Sequence, residues 1–176
     1  LGGLVALEAA LATPAAVRGL VLIASSPRFV AAPDWPHGVP HAVFAEFAAA
    51  LAARYRDAIE RFLALETLGA PNAQAELREL KRIAFARGEP SPRALADGLR
   101  ALETTDLRDA LPRLSMPSLW IAGRRDRLVA PAAMRAAAAL APHARCVELN
   151  TGHAPFVGDA DGVARAIAGF AAELPA

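Results

Sequence analysis

The sequence predicts an α/β fold in which a parallel sheet carries an inserted helical layer. Three observations lead there. Strand-like runs lie at residues 20–24, 118–122 and 145–149, and the first shows no polar alternation, which is how a strand covered on both faces of a parallel sheet reads. Strand and helix alternate around those runs, whereas residues 31–113 carry helical periodicity and no convincing strand.

The opening segment from Leu1 to Leu11 reads as a helix that is apolar nearly all round, ended before Pro14. The strand from Leu20 to Ala24 comes next and stops at Ser25-Ser26-Pro27. Two proline-rich turns between Pro33 and Pro40 then lead into four helical stripes. Phe44, Phe47 and Leu51 mark the first, Ile59, Phe62 and Leu63 the second, Ala73, Leu77, Leu80 and Ala84 the third, and Leu95, Leu99 and Leu102 the fourth. Breaks are expected at Gly69-Ala70-Pro71 and at Gly88-Glu89-Pro90-Ser91-Pro92. After Met116-Pro117 comes the strand Ser118 to Ala122, then a helix opened by Pro131, the strand Arg145 to Leu149, and a last helix with Val163, Ile167, Phe170 and Leu174 on one stripe. The expected division is a core made of residues 1–30 and 114–176 and a wholly helical cap of residues 31–113. A doubly covered sheet usually has more strands than these, so sequence on the N-terminal side is expected to complete it.

Composition narrows the function. Lys plus Arg number 19 against 18 Asp plus Glu, so net charge gives no support for a nucleic-acid partner. Cys146 is the sole cysteine, which excludes an internal disulfide and fits a cytoplasmic location. His37 and His41 are four apart, but Pro36, Gly38 and Pro40 break the helix that would bring them together, and no metal site is expected. There is no charged n-region at the start and no apolar run approaching the roughly 20 residues of a membrane helix, so neither a signal peptide nor a membrane contact is expected.

The chemistry sits at strand ends. Asp126 lies just past the strand ending at Ala122, and His153 just past the strand ending at Leu149, where open α/β sheets bind ligands. A hydroxyl nucleophile needs an imidazole to take its proton, and the imidazole needs a carboxylate to fix its tautomer. Asp before His at consecutive strand ends is the order of the last two triad members in α/β-hydrolases, where the serine comes first on a Gly-x-Ser-x-Gly turn. Leu1-Gly2 running into an apolar helix matches the residues on the C-terminal side of that serine, which places the nucleophile before Leu1 and makes the Leu1 backbone N–H an oxyanion donor. On this reading residues 1–176 alone have no esterase activity. Ser25 and Ser26 come after a different strand and precede Pro27, so they read as strand-end residues. Taken singly, Asp126 could instead be a turn residue paired with Arg124 or Arg127, and His153 a loop residue bonded to backbone.

The chain resembles the BioH-type pimeloyl-[acyl-carrier protein] methyl ester esterases, through Leu1-Gly2-Gly3-Leu4-Val5-Ala6, Ala24-Ser25-Ser26-Pro27, Asp34-Trp35-Pro36, Glu60 to Leu65, Thr105-Asp106-Leu107-Arg108, Ser115-Met116-Pro117 and His153-Ala154-Pro155-Phe156. The resemblance implies the C-terminal part of an α/β-hydrolase fold and hydrolysis of a methyl ester on a pimeloyl chain borne by acyl carrier protein, in biotin biosynthesis. No cofactor is implied. His153 would be base and then acid, and Asp126 its orienting partner. Phe62, Leu63, Ala64, Leu65 and Glu66 would line the acyl pocket, with Phe44 and Phe47 as further candidates. Arg61 and Arg78 would meet the acidic carrier protein; Asp57 and Gln74 stand where the family has basic residues, and Lys81 and Arg82 are near enough to Arg78 to compensate. A monomer is expected. Two other readings stay open: an α/β-hydrolase acting on another small ester, lactone or carbon–carbon bond, because fold and triad do not fix the substrate, and a non-catalytic binding module using the cap.

Overall fold

The computed structural model describes residues 1–68, 70 and 72–175, so the expected break at Gly69 and Pro71 lies outside the described residues. Strands β1 (Leu20–Ile23), β2 (Ser118–Gly123) and β3 (Ala144–Leu149) form one parallel sheet in the order β1-β2-β3. The register sets Leu22 opposite Trp120, and Trp120 opposite Cys146. Every residue of the central β2 is buried. Its side chains alternate between two cores, as a period of two requires. Trp120 and Ala122 pack with Leu4 and Leu7 of α1 (Gly2–Ala12) and with Met134 and Ala137 of α6 (Pro131–Leu140), while Leu119 and Ile121 pack with Val163 and Phe170 of α8 (Ala160–Ala172). That two-sided cover is why the β2 run shows no polar alternation in the sequence.

Strand β1 stops one residue short of the expected end. Ala24 adopts φ 46°, a left-handed conformation that cannot continue a strand, although its N–H still donates to the Ile121 carbonyl at 2.9 Å. The adjoining Ser25 lies so close to α1 that a Cβ on Gly3 would overlap its side chain. Gly2, the closing glycine of the expected motif, meets no described atom within 4 Å at its Cβ position, so the packing constraint falls on Gly3.

The inserted segment contributes α2 (His41–Ala53), α3 (Tyr55–Glu66), α4 (Ala73–Phe85) and α5 (Pro92–Thr104), on the four expected stripes. It is not wholly helical. Residues 28–39 form turns tied by bridges between Val30 and Val39 and between Ala32 and Trp35, and Arg28 bridges antiparallel to Asp106. This is a stem. Leu107 N–H donates to the Pro27 carbonyl at 3.0 Å, Asp106 accepts from both Arg28 and Arg108 at 2.7 Å, and Arg108 also reaches Asp34 at 3.0 Å. Proline and short polar residues favour such turns over helix. The stem joins the two ends of the insertion, so Asp34-Trp35 and Asp106-Leu107-Arg108 bear on architecture. A short helix, α7 (Pro155–Gly158), precedes α8 and is invisible to periodicity because it is a single turn. Among the described residues no helix is long and apolar enough to cross a membrane.

Candidate active site

The loops after β2 and β3 are laced together before either presents a side chain. Arg124 N–H donates to the Leu149 carbonyl at 2.7 Å and Arg125 N–H to the Thr151 carbonyl at 2.9 Å. Glycine is required at two points of this approach, because a Cβ on Gly123 would run into the Gly152 carbonyl and a Cβ on Gly152 into the Glu66 carbonyl.

Asp126 is held from three directions. Oδ1 accepts the backbone N–H groups of Leu128 at 2.8 Å and Val129 at 2.9 Å, and Oδ2 lies 2.8 Å from His153 Nδ1. Its side chain is fully buried, whereas the His153 side chain keeps 20% of its surface exposed. Arg124 pairs with Glu148, and neither Arg124 nor Arg127 forms an ion pair with Asp126 among the described residues. With Nδ1 directed at the carboxylate as a donor, Nε2 is left as the basic nitrogen, which is the tautomer a general base needs.

His153 opens on an apolar cavity of about 220 Å³ whose wall includes Leu1, Ser25, Phe44, Phe47, Phe62 and Leu65. The rings of Phe47 and Phe62 lie 5.1 Å apart. Ser25 and Ser26 also line it, but Ser25 Oγ donates to the Ile23 carbonyl at 2.8 Å and Ser26 Oγ to that of Arg28 at 2.6 Å. Neither hydroxyl bonds His153 among the described residues.

The segment Phe62 to Glu66 divides by face. Phe62 and Leu65 line the first cavity, and with Glu66 they line a neighbouring cavity of about 500 Å³. Leu63 packs instead against Leu80 and Ala154 in a helix-to-helix core, and Ala64 is exposed; the expectation that both line the pocket is corrected. Consecutive helical residues turn by about 100°, so five in a row cannot face one cavity.

A second carboxylate, Glu66, approaches the imidazole, with Oε1 3.9 Å from His153 Nε2. Its backbone carbonyl accepts the His153 N–H at 3.3 Å, which seats the end of α3 on the histidine loop. Burial pushes the Glu66 carboxyl up to about 7, the adjacent His153 opposing the rise and Asp126 adding to it. Sequence reasoning places Glu66 only on the pocket wall, since no local signal reports a carboxylate's distance from a histidine in another element.

Of the four cationic residues expected to meet a carrier protein, Arg61 and Arg78 are not buried and have no ion-pair partner among the described residues. Lys81 is 2.6 Å from Glu60, and Arg82 is 2.6 Å from Glu79. His41 lies 3.1 Å from Glu103, and no cluster of three or more metal-ligating side chains exists among the described residues.

A carboxylate-anchored histidine at the ends of adjacent parallel strands, under a helical insertion, defines an α/β-hydrolase architecture. Residues 1–160 match the family described as alpha/beta hydrolase fold, and the chain belongs to it. Among curated relatives it is 55% identical over 176 residues to the pimeloyl-[acyl-carrier protein] methyl ester esterase of Xanthomonas oryzae pv. oryzae (strain MAFF 311018), covering 99% of this chain and 69% of that one. It is 56% identical over 175 residues to the protein of the same name from Stenotrophomonas maltophilia (strain K279a), covering 99% of this chain and 67% of that one. Among solved structures, the enol-lactonase from Burkholderia xenovorans LB400 superposes with a TM-score of 0.81 at 23% identity, covering 98% of this chain and 63% of that one; this likeness concerns the fold alone.

Proposed function

We propose that the protein hydrolyses the methyl ester of pimeloyl-[acyl-carrier protein] through a serine acyl-enzyme, with the nucleophile on the residue that precedes Leu1. The observation that carries the reading is the His153–Asp126 pair at 2.8 Å, opening on an apolar cavity walled in part by Leu1 at the start of α1. Two relatives above 50% identity bear the name of this activity.

In this mechanism His153 Nε2 removes the serine proton as Oγ bonds the ester carbonyl carbon. The resulting oxyanion is met by the Leu1 backbone N–H. When the intermediate collapses, the bond to the methoxy oxygen breaks and His153 returns the proton, so methanol leaves. Water then adds to the acyl-enzyme with His153 again as base, and collapse releases the free carboxylic acid and regenerates the serine. Asp126 holds the imidazole and stabilises its charged form throughout. Phe44, Phe47, Phe62 and Leu65 would take the methylene chain, whose burial contributes about 0.8 kcal/mol per methylene.

Arg61 and Arg78 support carrier docking as two cap cations free of internal ion pairs among the described residues, with Lys81 and Arg82 weakened as contacts by Glu60 and Glu79. A monomeric cytoplasmic enzyme with core residues 1–30 and 114–176 and cap residues 31–113 completes the proposal. The test is to assay the full-length protein on a methyl pimeloyl carrier and on p-nitrophenyl acetate. A kcat/KM at least about a hundredfold higher on the carrier ester supports the reading, and equal values favour an unselective α/β-hydrolase.

A further inference from the structure

Glu66 has no step in the mechanism above, yet it is placed as if it had one. Its side chain is 9% exposed, and Oε1 lies 3.9 Å from His153 Nε2, the nitrogen that faces the reacting atoms in the proposed function on which this inference rests. The position is fixed by backbone: the Glu66 carbonyl accepts the His153 N–H, and Gly152 packs directly against it.

Phe62, Leu65, Leu128, Val39 and Val43 line both cavities, so Glu66 in the larger one borders the pocket that holds His153. The other charged or titratable groups around it are few. Asp126 and His153 act on it electrostatically, and His37 and Arg127 share its cavity, Arg127 being exposed. No lysine or arginine forms an ion pair with Glu66 among the described residues.

Ester hydrolysis changes charge at this spot. The substrate carbonyl is neutral, whereas the product is a carboxylate formed within about 3 Å of the base. That puts two carboxyl groups within several ångströms of each other in a poorly solvated pocket, where like charges repel far more than in water. A neutral ester meets no such penalty. We propose that Glu66 is a specificity-determining residue that excludes free carboxylates from the reaction centre, so that the site prefers the uncharged ester and releases its acid product. Because burial holds the Glu66 carboxyl at about 7, the exclusion operates on its ionised form above neutral pH.

The test uses the full-length protein at about pH 8.5, above the titration of Glu66, and measures p-nitrophenyl hexanoate hydrolysis with hexanoate and the neutral hexanamide as competing inhibitors. In Glu66→Gln the ratio of the hexanoate to the hexanamide inhibition constant should fall about tenfold relative to wild type, and Glu66→Asp should keep the wild-type ratio within about threefold. If the glutamine variant does not fold, Glu66→Ala makes the same comparison with the same expected direction. An unchanged ratio in a folded neutral variant overturns the inference. Failure of the underlying function is read separately: turnover that survives His153→Ala sinks the catalytic reading, whereas His153-dependent turnover with an unchanged ratio sinks only the role of Glu66.

Discussion

The backbone N–H of His153 donates to the carbonyl of Glu66 at 3.3 Å, so the end of α3 is joined to the histidine loop at the residue on which the proposed chemistry turns. Gly152 makes the approach possible, since a Cβ there would run into the same carbonyl. Gly152→Ala must therefore push the loop away from α3 and shift the imidazole. We expect kcat to fall about a hundredfold, as displacements of order 1 Å do in positioned sites, with a small change in melting temperature. Wild-type kcat in a folded Gly152→Ala protein would mean that this contact does not position His153.

Asp126 accepts two backbone N–H groups through Oδ1 as well as facing His153 through Oδ2. In Asp126→Asn, an amide oxygen can keep the two backbone bonds while the amide nitrogen no longer accepts the Nδ1 proton. The fold should survive and kcat should drop by about four orders of magnitude, as expected for loss of the correct tautomer. Circular dichroism and steady-state kinetics on the same preparation separate this from unfolding.

Phe62 packs against Phe47 over the first cavity. Truncation to alanine should raise KM for p-nitrophenyl octanoate about tenfold or more and leave that for the acetate within about twofold, because only the longer chain reaches the lost surface. Equal effects on both esters would assign Phe62 to helix packing alone.

The stem carries a pH dependence whose sign comes from Asp106. Hydrogen bonding from Arg108, reinforced by Arg28, holds the Asp106 carboxyl well below the usual carboxylate range. A depressed folded-state pKa contributes stability that is fully present above the unfolded value of about 3.9 and is lost as pH falls through the folded one. Asp106→Asn should destabilise the full-length protein at about pH 7 by about 1–3 kcal/mol, with the difference from wild type shrinking below about pH 4. Chemical denaturation across that range measures it, and a difference independent of pH would contradict the assignment.

The sheet is legible in the sequence because each strand is a short apolar run with a turn at its end, and the Asp126 and His153 loops are legible as the segments after two of those runs. The features that escape are tertiary. Arg28 and Asp106 lie 78 residues apart; Asp106 enters only within a fragment of a resemblance and Arg28 not at all, with nothing local to say that they clasp the two ends of the insertion. Leu63 and Ala64 group with the pocket when the motif is read as contiguous, whereas helical geometry sends Phe62, Leu65 and Glu66 one way and Leu63 another. The approach of Glu66 to Nε2 depends on how α3 seats on Gly152, which no pattern within either element records.

Whether the His153–Asp126 pair serves a serine immediately before Leu1 is decided by treating the full-length protein with a fluorophosphonate and mapping the labelled peptide by mass spectrometry. One phosphonyl group per chain is expected, on the serine preceding Leu1, with labelling abolished in His153→Ala. Labelling of Ser25 or Ser26, or labelling that persists without His153, would contradict the assignment.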